Sequence, residues 1–222
     1  MGLSQLYLVN PARYPNPQAE WRAANAVDTL DAAVVVDSLD EAVGDCTLVI
    51  GTSTRNRRIP WPVLSANQMA EQLIQPPGPD QDPQQGQIAI LFGRETSGLS
   101  NDELHRCNKH LVIPANPDYS SLNLAMAVQV VAYELYSQAQ RIEQGERAET
   151  QDWDRRFATN AELESFLTHL DETLCDVDFY DPQSRGQAFT RLRRLFGRVP
   201  LDETEVQMLR GILTQVQYKI RQ

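Results

Sequence analysis

The sequence predicts an α/β fold built on a parallel sheet, followed by a small all-helical extension. Three observations predict it. Short apolar runs alternate with helix-like segments through the first two thirds of the chain, the pattern of parallel strands joined by right-handed crossovers. Several of those runs end abruptly in polar, turn-forming loops that open helices. The last sixty or so residues contain no strand pattern and carry apolar side chains at helical spacing.

In order, Gln5 to Val9 reads as a buried strand stopped by Asn10 and Pro11, with Pro15 and Pro17 continuing the loop. Residues Ala19 to Leu30 are helix-like. Ala33 to Val36 is a strand, and Asp37 or Ser38 is placed to cap the helix that follows. Thr47 to Ile50 is a strand ending at Gly51. A Pro, Gly and Gln-rich loop from Gln75 to Gln87 separates this unit from the next strand, Ile88 to Phe92. A short acidic-capped helix leads to the strand Leu111 to Ile113. A long helix from Ser121 to about Gln144 carries Leu124, Val128, Val131, Ala132 and Leu135 on one face. Polar residues 143–158 read as a linker. Beyond it, Thr159 or Asn160 caps a helix with Leu163, Phe166, Leu167, Leu170 and Leu174 on one face. Gly186 to Phe196 forms a basic amphipathic helix, and Asp202 opens the last one. The units are therefore 1–142, the linker, and 159–222, with no internal repeat.

Composition narrows the function classes. The chain is 41% apolar and 23% charged, ordinary for a globular protein. No run approaches the roughly 20 apolar residues of a membrane span. Neither a secretory signal nor a myristoylation pattern is expected at Met1, Gly2 and Leu3. Cys46, Cys107 and Cys175 are an odd number at irregular spacings, which argues against a disulfide framework or zinc site and for small thiols in a reducing cytoplasm. Net charge is −10 but unevenly spread. Residues 183–222 hold 8 basic and 3 acidic groups on an otherwise acidic chain. Phosphate contact is local, so this basic unit suits a nucleic-acid partner despite the net charge.

Three loops could carry chemistry. Gly93-Arg94-Glu95, with Gly98 and Leu99, follows a strand directly; it fits neither the P-loop nor the dinucleotide spacing. By itself it could be a turn with a surface ion pair. Ser120, Ser121 and Asn123 open the long helix, either as caps or beside N–H groups that can meet an anion. Gly51-Thr52-Ser53-Thr54 is followed by Arg55, Arg57 and Arg58, suited to phosphate or simply solvated. All three loops follow strands of one predicted sheet, where ligands of α/β folds bind.

Together these residues resemble the SPOUT methyltransferases, in the branch of 2′-O-ribose RNA methyltransferases, and within it the tRNA methyltransferase J type. Phe92-Gly93-Arg94-Glu95 with Gly98 and Leu99 is similar to that family's second motif. Ile113 through Pro117 and Tyr119 through Glu134 are similar to its third. Gly51-Thr52-Ser53 with Arg55, the Pro60-Trp61-Pro62 triplet, Arg193-Arg194-Leu195-Phe196 and Leu209-Arg210-Gly211-Ile212 fit the same type.

The resemblance implies a deep trefoil knot that binds S-adenosylmethionine in a bent form. It places the cofactor at Thr52, Ser53, Thr54, Gly93, Ile113, Ser120, Ser121 and Leu122. It assigns the polar active-site residues to Arg94, Glu95, Ser121 and Asn123. Arg55 and Arg57 would hold RNA, joined by Arg191, Arg193 and Arg194 of the basic helix. No metal or membrane is implied. The implied reaction is methylation of the ribose 2′-hydroxyl of cytidine or uridine at tRNA position 32, by a cytoplasmic homodimer whose sites are completed across subunits. Family members also carry a strand and helix, with an Asn-x-Gly turn and a catalytic arginine, ahead of the segment aligned with Met1. Without that arginine, a protein that binds S-adenosylmethionine or RNA without turnover is the rival expectation, and an inert interaction module is another.

Overall fold

The computed structural model describes residues 1–3, 5–53, 61–75, 86–116, 118, 122–144, 155–183 and 185–221. The elements are β1 (Tyr7–Val9), α1 (Pro17–Ala23), a 3-10 turn (Ala24–Ala26), α2 (Val27–Asp31), β2 (Val34–Val36), α3 (Leu39–Val43), β3 (Cys46–Thr52), β4 (Val63–Leu64), α4 (Ala66–Leu73), β5 (Gln87–Leu91), α5 (Asn101–His105), β6 (Lys109–Leu111), α6 (Leu124–Glu143), α7 (Asn160–Asp176), α8 (Ala188–Gly197) and α9 (Glu203–Ile220).

Four strands form a sheet in the order β4-β6-β3-β5, with every pairing parallel. β1 and β2 form a separate parallel pair, Tyr7 opposite Val34 and Val9 opposite Val36. The central strand β3 is apolar on both faces, as a sheet covered on both sides requires. Alternation along β3 shows why. Val49 packs with Val43, Cys46 and Cys107 on one side. Its neighbour Ile50 packs with Leu64, Met69, Ala70, Leu111, Val131 and Leu135 on the other, beneath α4 and α6.

Several expectations shift. The Gln5–Val9 strand is present but not buried: Tyr7 and Val9 are exposed, as are Val34 and Val35 of its partner. A two-stranded ladder has too little surface to cover itself. The single helix expected over 19–30 breaks at Ala24, whose φ is +50. β4 and α4 were not foreseen. β4 is only two residues long, and α4 follows a Ser65-x-x-Gln68 capping box. α6 starts at Leu124 rather than Ser121, because Asn123 is its cap. Of the alternatives at other helix starts, Ser38 caps α3 and Thr159 caps α7, the latter in a capping box with Glu162.

Helices α7–α9 share a second core. Ala158, Phe166, Leu167, Leu170 and Val206 are buried, with Leu163, Phe189, Leu192 and Phe196 packed on them. Phe166 meets Phe196 edge-on, ring centroids 4.8 Å apart. These helices are pinned to the sheet by polar contacts. Ala161 N–H donates to the Gly44 carbonyl at 3.1 Å. Asn108 Nδ2 donates to the Gly197 carbonyl at 3.2 Å, while its Oδ1 accepts from Val49 N at 2.7 Å. Glu164 pairs with both Arg106 and Arg193. The three cysteines are free thiols. Cys46 and Cys107 are buried, and burial pushes the Cys107 thiol up to about 12.

Candidate active site

The carboxyl ends of β5, β3 and β6 lie side by side, with β3 in the middle. Two hydrogen bonds tie these ends together. Thr52 Oγ1 donates to the Leu91 carbonyl of β5 at 2.9 Å. Ser53 N–H donates to the Leu111 carbonyl of β6 at 3.0 Å. The ladders stop at Leu91 and Leu111. Just past them the main chain of Gly93 leaves β5 and that of Ile113 leaves β6, about 10 Å apart across β3. Of the cofactor residues expected from the sequence, Thr52, Ser53, Gly93 and Ile113 thus converge on one edge. Thr54, Ser120 and Ser121 lie outside the described residues, as do Arg55 and Arg57. Leu122 is described and is exposed, one residue before the α6 cap.

Gly93 begins a loop that closes on itself. Gly98 N–H donates to the Arg94 carbonyl at 2.8 Å, and Arg94 N–H donates back at 3.3 Å. A Cβ on Gly93 would lie 2.1 Å from the Gly98 carbonyl carbon and 2.2 Å from Leu99 N. Only glycine fits there. Gly98 needs its own freedom for a different reason, since its φ is +66. A Cβ on Gly51 would press on Cys107 Sγ at 2.6 Å, so a side chain there would force the core to shift. Glu95 stands exposed on the closed loop.

Arg94 is held by a residue the sequence reading passed over. Its two terminal nitrogens donate to both oxygens of Glu103, at 3.1 and 3.0 Å. Glu103 Oε2 also accepts from Ser100 N at 2.7 Å, and Ser100 Oγ accepts from Glu103 N. Burial pushes the Glu103 carboxyl up, but bonds from Arg94 and Ser100 outweigh it and hold the group below the usual range. The bond to Glu103 raises the Arg94 guanidinium in turn. The signal was present: Ser100-x-x-Glu103 is a capping-box pattern, and α5 forms on it. The surface ion pair weighed as the plain alternative for this loop therefore exists. It also orients a guanidinium beside the strand ends.

Asn123 caps α6 with its Oδ1 accepting from Ala125 N at 2.9 Å. The set gathered here consists of main-chain groups past the sheet, hydroxyls and an arginine paired with Glu103. It fits a ligand recognised through the backbone, and among the described residues no group of three metal-ligating side chains is assembled.

The basic helix is less uniform than the sequence implied. Arg191 is exposed. Arg193 instead faces inward. It donates to both Glu164 oxygens and lies over the Phe189 ring, 5.6 Å from the centroid. Its charge is engaged within the fold, whereas the sequence offered it to RNA alongside Arg191 and Arg194.

Comparison with known proteins bears on this arrangement. Residues 1–133 match the SpoU rRNA methylase family, and residues 161–222 match the C-terminal domain of the tRNA methyltransferase TrmJ. The tRNA (cytidine/uridine/adenosine-2′-O-)-methyltransferase TrmJ of Pseudomonas aeruginosa is 44% identical over 222 residues, spanning 98% of this chain and 84% of that protein. The tRNA (cytidine/uridine-2′-O-)-methyltransferase TrmJ of Pectobacterium atrosepticum is 44% identical over 218 residues, 98% of this chain and 87% of its own. Among solved structures, TrmJ from Z. mobilis superposes with a TM-score of 0.78 at 32% identity, covering 97% of this chain and 88% of the other. A probable methylase family protein from Haemophilus influenzae gives 0.59 at 38% identity, covering 99% and 87%.

Proposed function

The chain belongs to the SpoU methylase family and ends in a TrmJ C-terminal domain, and on that premise we propose that it is a tRNA 2′-O-methyltransferase acting on cytidine or uridine at position 32 with S-adenosylmethionine. The observation that carries this is the meeting of Thr52, Ser53, Gly93 and Ile113 at one sheet edge, beside an arginine fixed by Glu103. S-adenosylmethionine, when bound, supplies an electrophilic sulfonium methyl. The residues of this chain do the rest. The strand-end main chain at Gly93 and Ile113, with Thr52 to Thr54 and Ser120 to Leu122, holds the cofactor. Ser121 and Asn123, the latter the cap of α6, orient the ribose 2′-hydroxyl. In this reading Arg94, held by Glu103, and the exposed Glu95 handle the proton that the hydroxyl loses. Orientation and proton handling of this kind are the main demands of such a transfer.

In the same reading, residues 1–142 form the catalytic unit with a deep trefoil knot, 143–158 the linker and 159–222 the tRNA-binding extension. The high structural likeness to the Z. mobilis protein over nearly the whole chain supports a shared topology. Arg55, Arg57, Arg191 and Arg194 contact phosphate. The chain works as a homodimer in the cytoplasm. The α6 surface facing away from the core supports that assembly, because Met126 (63% exposed), Tyr133 and Tyr136 form an apolar face on it.

Labelled methyl transfer from S-adenosylmethionine tests this function directly. An unmodified tRNA with cytidine at position 32 should be labelled, and the same tRNA with 2′-deoxycytidine there should not. Equal labelling of both would reassign the target. No labelling of either, with cofactor binding intact by calorimetry, would leave a binding protein without turnover.

A further inference from the structure

Helix α9 buries one face against α7 and leaves a second apolar face uncovered. Val206, Leu209 and Leu213 pack into the α7–α9 core. Met208 (61% exposed), Ile212 (54%) and Val216 lie about a quarter turn around the helix from that packed face, on an open surface shared with Gly211, Gln215 and Lys219. At 100° per residue, Met208, Ile212 and Val216 fall within a stripe 80° wide centred on Ile212. Glu205 and Lys219 fall at the ends of the same stripe, each seven residues from Ile212, or about 10 Å along the axis; Glu205 is half-buried and uses Oε2 to accept from Asp202 N at 3.0 Å, so Oε1 is what it offers to a cation.

That spacing is symmetric about Ile212. If two copies of α9 cross antiparallel with Ile212 on the twofold axis, Met208 of one meets Val216 of the other. Glu205 of one then meets Lys219 of the other, twice. An isologous contact requires this self-complementarity. An acidic first turn and a basic last turn provide it electrostatically. A parallel pairing would instead set like charges against each other.

We propose that the α9 stripe is a self-association surface whose occupant is α9 of a second copy, centred on Ile212. This contact goes beyond the dimer read from α6 and does not depend on it. A single helix face is small, so the contact is weak alone and strengthens when another interface already holds two chains together.

Oxidative cross-linking of the full chain tests it. Ile212→Cys should form a disulfide joining position 212 of two chains, identified by peptide mass spectrometry. Gln207→Cys, also exposed but on another side of α9, is the control and should cross-link about tenfold more slowly. Adding Lys219→Glu turns two attractive pairs into repulsive ones and should slow cross-linking at 212 by about tenfold at low salt. Equal rates at 207 and 212, or indifference to Lys219→Glu, would overturn the α9 contact. A chain that sediments as a dimer yet does not cross-link at 212 would overturn it while leaving the α6 dimer standing. If Ile212→Glu weakens tRNA binding without changing self-association, the stripe faces RNA and the α9 contact is wrong.

Discussion

Glu164 of α7 receives both terminal nitrogens of Arg193 of α8, with Arg193 Nη2 at 2.9 Å from Oε2. The same carboxylate also accepts Arg106, which follows α5 and reaches on to Asp40 at 3.0 Å. One acidic side chain therefore bridges the basic helix and the sheet-bearing part of the chain. Both Glu164 and Arg193 are largely withdrawn from solvent, where removing one partner of a charged network is costly.

Glu164→Gln should therefore lower stability by about 2 kcal/mol, read from the denaturant midpoint. Glu164→Gln combined with Arg193→Ala should cost clearly less than the two separate losses added together, because the residues share one interaction. Strict additivity would mean that the pair contributes nothing.

Arg191→Ala should do the reverse. Arg191 is exposed and its loss should leave the denaturant midpoint unchanged. Binding of tRNA should weaken, and the slope of log affinity against log salt should fall by about 0.7–0.9 for the one lost phosphate contact. An unchanged slope would remove Arg191 from the RNA surface.

Gly93→Ala should disable the site. Its Cβ would meet main-chain atoms at 2.1 and 2.2 Å, which cannot move aside as a side-chain tip could. The overpacking should cost about 1–3 kcal/mol and abolish S-adenosylmethionine binding by calorimetry. Gly98→Ala meets no atom within 4 Å but sits at φ +66. It should cost about 1–2 kcal/mol through backbone conformation alone. A Gly93→Ala protein that binds the cofactor normally would refute the role given to the loop.

Acid should loosen the helical unit through Glu162. Bonds from Arg156, then from Thr159, hold its carboxyl near about 2 against an ordinary 4.5, with burial opposing them. A depressed carboxyl stabilises the folded chain above its unfolded value. That contribution is complete above pH 4.5 and is lost as pH falls from 4.5 toward 2. Glu162→Gln should flatten the acid limb of a stability profile over that window. An unchanged limb would show that Arg156 and Glu162 do not couple to folding.

The sequence alone determined what depends on local order. Helix starts near Ser38, Thr159 and Asp202 follow from side chains that can reach backbone donors three residues on, although the choice of Ser38 over Asp37 and of Thr159 over Asn160 came from the structure. The strands β3 and β5 follow from apolar runs broken by polar loops, whereas β6 spans Lys109–Leu111 and not the expected Leu111–Ile113, because its pairing with β3 and β4 sets its bounds. The glycine-led loop at Gly93 was legible because only certain residues permit such a turn. Tertiary structure decided the rest. Whether β1 is buried depends on what lies beside it, and periodicity carries no record of neighbours. Arg94 finds Glu103 nine residues away and Arg193 finds Glu164 twenty-nine away. Spacing alone cannot tell an arginine that meets a phosphate from one that meets a carboxylate of its own chain. The guanidinium serves both equally well, and only the folded backbone fixes which anion lies within 3 Å.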